Sequence, residues 1–109
     1  MDMQTFADLI FTTKDYYSGK WARLFFGNGY GVSVIIGPYS YGWNEWLYEL
    51  AILKWVEGKS NLCYDTPITS DVMGHRTSEE ITEIMKLVQE LPSVKQQPYD
   101  DKELEWEMV

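Results

Sequence analysis

Asn28-Gly29 stands between two apolar runs, and no other pair in the chain restricts the fold so strongly. Two-residue hairpin loops favour type I′ turns, which need φ > 0 at both central residues, and Asn followed by Gly meets that need at little steric cost. The pair predicts an antiparallel hairpin with arms at residues 20–26 and 32–36. With Asn28 and Gly29 central, Phe25 lies opposite Val32, Arg23 opposite Val34 and Trp21 opposite Ile36. The two-residue period then places those six on one face and Ala22, Leu24, Ser33 and Ile35 on a lighter one.

The remaining segments follow from similar signals. Residues 5–12 read as a first strand, with a helical turn as the competing reading because Asp8 interrupts the run without deciding its period. Residues 15–19 read as a loop. Residues 46–56 fit either period. Trp43, Trp46, Leu47, Leu50 and Ala51 fall at helical spacing, whereas as a strand Leu47, Ala51, Leu53 and Trp55 share a face with Glu49. The turn residues Gly58-Lys59-Ser60-Asn61 and a short return strand at 62–65 favour the strand, and the helix stays open. Asp65, Thr66, Pro67 and Thr69 mark a turn-rich connection.

Thr77-Ser78-Glu79-Glu80 is a capping box opening a helix that runs to about Leu91, with Ile81, Ile84, Met85, Val88 and Leu91 on one stripe and Pro92 as the stop. Beyond the linker Gln96-Gln97-Pro98, acids alternate with Leu104, Trp106 and Met108. That pattern suits an edge strand or an extended arm, with a disordered tail as the alternative. The expected fold is α+β: an antiparallel sheet of about four to five strands with one C-terminal helix packed across a face. Residues 1–92 form the domain, and 93–109 an acidic arm or edge strand.

Charge and composition narrow the function. The 109 residues suffice for one domain with its own core. Cys63 is the sole cysteine, so neither an internal disulfide nor a cysteine metal cluster is available. A secretion signal and a membrane span are both lacking from the pattern, so the expected location is the cytoplasm. Net charge is −8, divided as −2 over residues 1–78 and −6 over residues 79–109. Nine scattered Lys and Arg make a poor platform for neutralising phosphates, which argues against direct binding of duplex nucleic acid.

Little in the sequence points to catalysis. Cys63, His75 and Asp71 could in principle form a nucleophile, base and orienting acid, yet no feature makes Cys63 a low-pKa thiolate. One His, one Cys and irregular carboxylates offer no metal-ligand spacing. The glycine-rich Gly27-Asn28-Gly29-Tyr30-Gly31 lacks the Lys-Ser/Thr and following helix of a phosphate loop. No cofactor is expected.

Two features point to a partner. Tyr39, Tyr41, Trp43 and Trp46, with Glu45 among them, form a dense aromatic stretch of the kind found at protein interfaces, although core packing or base stacking would use the same rings. Glu79, Glu80, Glu83 and Glu90 on the helix, and Asp100, Asp101, Glu103, Glu105 and Glu107 beside Trp106, would complement a positive surface.

Several phrases resemble small accessory proteins of tailed phages and prophages. They are Asn28-Gly29-Tyr30-Gly31-Val32-Ser33-Val34, Gly37-Pro38-Tyr39-Ser40-Tyr41-Gly42, Leu47-Tyr48-Glu49-Leu50-Ala51 and Cys63-Tyr64-Asp65-Thr66-Pro67-Ile68-Thr69. The likeness spans roughly residues 5–91 and carries no mechanistic motif. It implies a phage accessory protein acting in the cytoplasm of an infected bacterium, with smaller or more polar residues expected in relatives at Trp43-Asn44-Glu45-Trp46 and with the acidic tail as an addition. The functional expectation is a non-enzymatic protein that binds a host protein with a basic surface, an inhibitor of host defence such as an anti-CRISPR protein. The alternative is a nucleotide or small-molecule binding module using the aromatic loop.

Overall fold

In the computed structural model, which describes residues 3–14, 17–37 and 47–94, one antiparallel sheet carries one helix across a face. The strands are β1 (Thr12–Lys14), β2 (Tyr17–Phe25), β3 (Tyr30–Ile36), β4 (Tyr48–Val56), β5 (Lys59–Leu62) and β6 (Met73–Arg76), and the helix is α1 (Ser78–Gln89). The strand order is β1-β2-β3-β4-β5, with β6 also paired to β4. The α+β expectation holds, and within the segment that fitted either period Tyr48–Val56 is a strand. No described helix is long and apolar enough to cross a membrane.

The hairpin forms where Asn28-Gly29 places it, but one residue out of the expected register. Leu24 pairs with Val32, Ala22 with Val34 and Trp21 with Ile35. The Phe26 N–H donates to Tyr30 O (2.8 Å) and the Gly29 N–H to Phe26 O (3.1 Å), enclosing three loop residues rather than two. Only Gly29 is left-handed there (φ 89°), as in a turn followed by a glycine bulge. A one-residue slip turns every side chain of a strand over. Ala22 and Leu24 therefore join Val32 and Val34 beneath the helix, while Trp21, Arg23 and Phe25 take the opposite face.

The cause of the slip is the Asn28 side chain. Its Oδ1 accepts from the Tyr30 N–H (3.1 Å), and its Nδ2 donates to Val88 O (2.9 Å) and Leu91 O (3.1 Å). The last carbonyls of a helix have no donor within it, so Asn28 supplies one to Leu91 O and adds a second to Val88 O, which also accepts from the Leu91 N–H (3.2 Å). Asn28 O also accepts from the Val94 N–H (2.8 Å), and Gly29 O from the Trp55 N–H (2.9 Å). A single turn thereby joins hairpin, helix end and β4.

The helix begins as its sequence dictates. The Glu80 N–H donates to Thr77 Oγ1 (3.1 Å) and the Thr77 N–H to Glu80 Oε1 (2.8 Å). Ile81, Met85 and Val88 are fully buried against Val32, Val34, Leu50 and Ile52 of the sheet.

Residues 5–12 correct the strand reading: Phe6–Asp8 is a 3₁₀ turn and only Thr12 enters β1. Backbone donors of this segment go elsewhere, the Thr5 N–H to Asp8 Oδ2 (2.8 Å) and the Phe6 N–H to Thr82 Oγ1 (3.0 Å). Gln89 grips Gln4 at both backbone groups, accepting from its N–H (2.9 Å) and donating to its O (2.8 Å). Helix side chains thus take the place of a sheet partner, while Phe6 and Phe11 pack on Tyr48.

Two further readings are displaced. The second hairpin turns at Glu57 and Gly58 (φ 54° and 77°), so the return strand is Lys59–Leu62 rather than 62–65. Residues 15–19 are not all loop, because β2 starts at Tyr17. Residues 93–109 lie outside the described residues apart from Ser93 and Val94.

Replacing Asn28 by Ala is expected to cost about 1–3 kcal/mol, since the part-buried Leu91 O loses its side-chain donor and Val88 O keeps only the Leu91 N–H. Asn28→Asp should cost more, because a carboxylate would then face those carbonyls. Urea denaturation checks both, and a change in Asn28→Ala below about 0.5 kcal/mol, the range of ordinary surface substitutions, would refute the clamp. Leu50→Ala should cost about 2–5 kcal/mol by the same measurement, as for other fully buried leucines.

Candidate partner-binding surface

Outside its buried stripe, α1 presents a second, partly apolar flank. Ile84 lies next to the stripe and Leu87 one step further round, where it is half exposed. Glu80 falls between them on the cylinder, and Glu83 and Glu79 follow. Facing this flank is β6, with Met73 and Arg76, and Ile68 joins the lining. The result is an open groove of about 390 Å³ with an apolar floor and three glutamates along its helical side.

The loop leading to β6 is held by its own hydroxyls. Thr66 Oγ1 accepts from the Ile68 N–H (3.2 Å), and Thr69 Oγ1 from the Asp71 N–H (3.1 Å). Short Thr and Asp side chains compete for local backbone groups in this way, which fixes a loop without a core of its own. Arg76 Nε is buried and has no hydrogen-bond partner among the described residues. Glu83 makes only a solvated contact with Lys86 (3.7 Å), whereas Glu80 is held by the cap of α1.

A larger groove of about 880 Å³ opens where the sheet outruns the helix. A helix of 12 residues is about 18 Å long and a strand of nine about 30 Å, so α1 cannot cover all of β4. Tyr30, Lys54, Val56, Lys59 and Asn61 line the sheet side, and residues 91–94 the other.

Of the residues singled out in the sequence, the structure places Glu79 and Glu83 together on one groove. Tyr39, Tyr41, Trp43, Glu45, Trp46, Asp100, Asp101, Glu103, Glu105 and Trp106 lie outside the described residues. Sequence reasoning missed Ile68, Met73, Arg76 and Leu87. Leu87 carried a signal, being a large apolar residue off the core stripe. The strand β6 carried none, since Met73–Arg76 alternates no hydrophobics.

The imagined Cys63–His75–Asp71 set is not favoured by its surroundings. Cys63 is 2% exposed, and its Sγ donates to Asp65 Oδ1 (2.9 Å). Burial, then the bond to Asp65, pushes its thiol above the ordinary value, away from a nucleophilic thiolate. The hydrogen bond from Cys63, with help from Lys54 at 3.8 Å, holds the Asp65 carboxyl below its usual range. Asp71 Oδ1 accepts from the Val72 N–H (2.7 Å), and His75 belongs to β6. Among the described residues no group of three or more His, Cys, Asp or Glu could hold a metal ion.

A folded-state thiol pKa above the unfolded value gives stability that is full below the unfolded pKa and is lost as pH rises through the folded one. The urea midpoint of the wild type should therefore fall more steeply above about pH 8.5 than that of Cys63→Ala. Parallel curves would refute the assignment.

Neither a protein-family model, nor a curated protein, nor a solved structure matches the chain.

Proposed function

We propose that this chain is a non-enzymatic protein that binds a host protein through the acidic outer flank of α1. The observation that carries the reading is the placement of Glu79 and Glu83 beside an open apolar floor containing partly buried Ile84 and half-exposed Leu87. Acids alone are most often a solvated face. Acids bordering half-exposed Leu87 and partly buried Ile84 combine long-range attraction with surface that gains from burial. A net charge of −8 selects a partner with a positive surface.

The resemblance to phage accessory proteins adds the setting. In an infected bacterium the positive surfaces worth blocking belong to nucleic-acid-binding defence enzymes, of which a CRISPR effector is one example. The reading is therefore an inhibitor of host defence that acts by occupying a basic surface. A nucleotide or small-molecule module is the second reading. Its rings, Tyr39, Tyr41, Trp43 and Trp46, lie outside the described residues, and the 880 Å³ groove beside Tyr30, Lys54 and Lys59 is the observation that favours it.

Affinity capture from a bacterial host lysate at low salt tests the first reading. Wild-type protein should retain a protein with a basic surface, and the charge reversal Glu79→Lys/Glu83→Lys should lose at least nine-tenths of it while keeping the wild-type circular dichroism. Equal capture by both would overturn the proposal.

A further inference from the structure

Building on the proposed binding surface, we infer that the groove between α1 and β6 takes an extended segment of the partner with the pattern basic-x-basic-x-apolar. The register comes from the helix. Glu79, Glu83 and Leu87 succeed one another at intervals of four residues, so they form one ridge with steps of about 6 Å. Alternate side chains of an extended chain on one face are separated by nearly the same distance, about 6.6 Å. An extended peptide running along the ridge therefore sets one side chain on Glu79, the next but one on Glu83, and the next again on Leu87. The first two sites call for Lys or Arg. The third calls for a large apolar side chain, which would also cover Ile84 and Met73.

The occupant is extended because only a chain with that rise per residue sets successive same-face side chains on the steps of the ridge. Glu83 is available to such a partner because its contact with Lys86 is long and solvated. Charge and spacing point to the same occupant.

Fluorescence anisotropy with synthetic nine-residue peptides in a Gly-Ser background tests this directly. One peptide carries Lys at positions 3 and 5 and Leu at 7, and a second reverses that order. A third keeps the composition but sets the two Lys side by side, and a fourth replaces Lys by Glu. One of the first two should bind the wild-type protein at least tenfold more tightly than the third, and the fourth should not bind. Leu87→Ser and Glu83→Gln should each weaken binding several-fold.

Equal binding of the side-by-side peptide, or indifference to Leu87→Ser, would overturn the inference. So would failure of all four peptides while lysate capture still depends on Glu79 and Glu83. In that last case the protein-binding reading would survive and only the extended occupant would fall.

Discussion

The amide of Asn28 is the contact on which this fold depends. A two-residue turn would have put the hairpin in one register, and the three-residue loop that Asn28 adopts puts it in another. In that register the side chain reaches both the Tyr30 N–H and the carbonyls at the end of α1. The gain is threefold: the turn is closed, the helix end is satisfied, and the segment after the helix is tied to the loop through Val94. Gly29 belongs to the same arrangement. Its φ of 89° suits glycine, and a Cβ there would approach Val94 to 3.0 Å.

The position of α1 follows from that anchor at one end and from the Thr77–Glu80 box at the other. With both ends fixed, Ile81, Met85 and Val88 must face Val32, Val34, Leu50 and Ile52. The angle of the buried stripe then determines what is left outside. Ile84 and Leu87 are carried onto the flank with the glutamates, opposite a strand that pairs with the start of β4. The binding surface is in this sense a by-product of core packing. Its apolar floor joins the part of the helix that the core stripe leaves outside to Met73 of β6 and to Ile68.

Several elements were legible in the sequence because one local signal governed each. The capped helix was readable from Thr77, Glu80 and the spacing of its apolar residues, and the hairpin from Asn28-Gly29. The strand Tyr48–Val56 was readable only through its neighbours, since its own residues suit either period. The register was not legible. It is set by bonds from Asn28 to carbonyls some 60 residues away, which no local pattern encodes. The turn at Phe6–Asp8 was legible only as the competing reading: its Thr5–Asp8 contact is local, whereas the Phe6 N–H goes to Thr82 across the fold. The second hairpin turned early because Glu57 accepts a left-handed φ that its residue type does not advertise. At the candidate surface, the acids were visible in sequence and the floor was not. Met73 and Arg76 reach it only through the pairing of β6 with β4.

The central claim is that contact with a partner falls on the α1–β6 groove. Amide hydrogen exchange on the free protein and on its complex with the captured host partner measures this most directly. The account predicts slowed exchange on complex formation in residues 73–76 and in α1 from Glu79 to Leu87, with the β2–β3 hairpin unchanged. Slowing confined to residues outside β6 and α1 would contradict it.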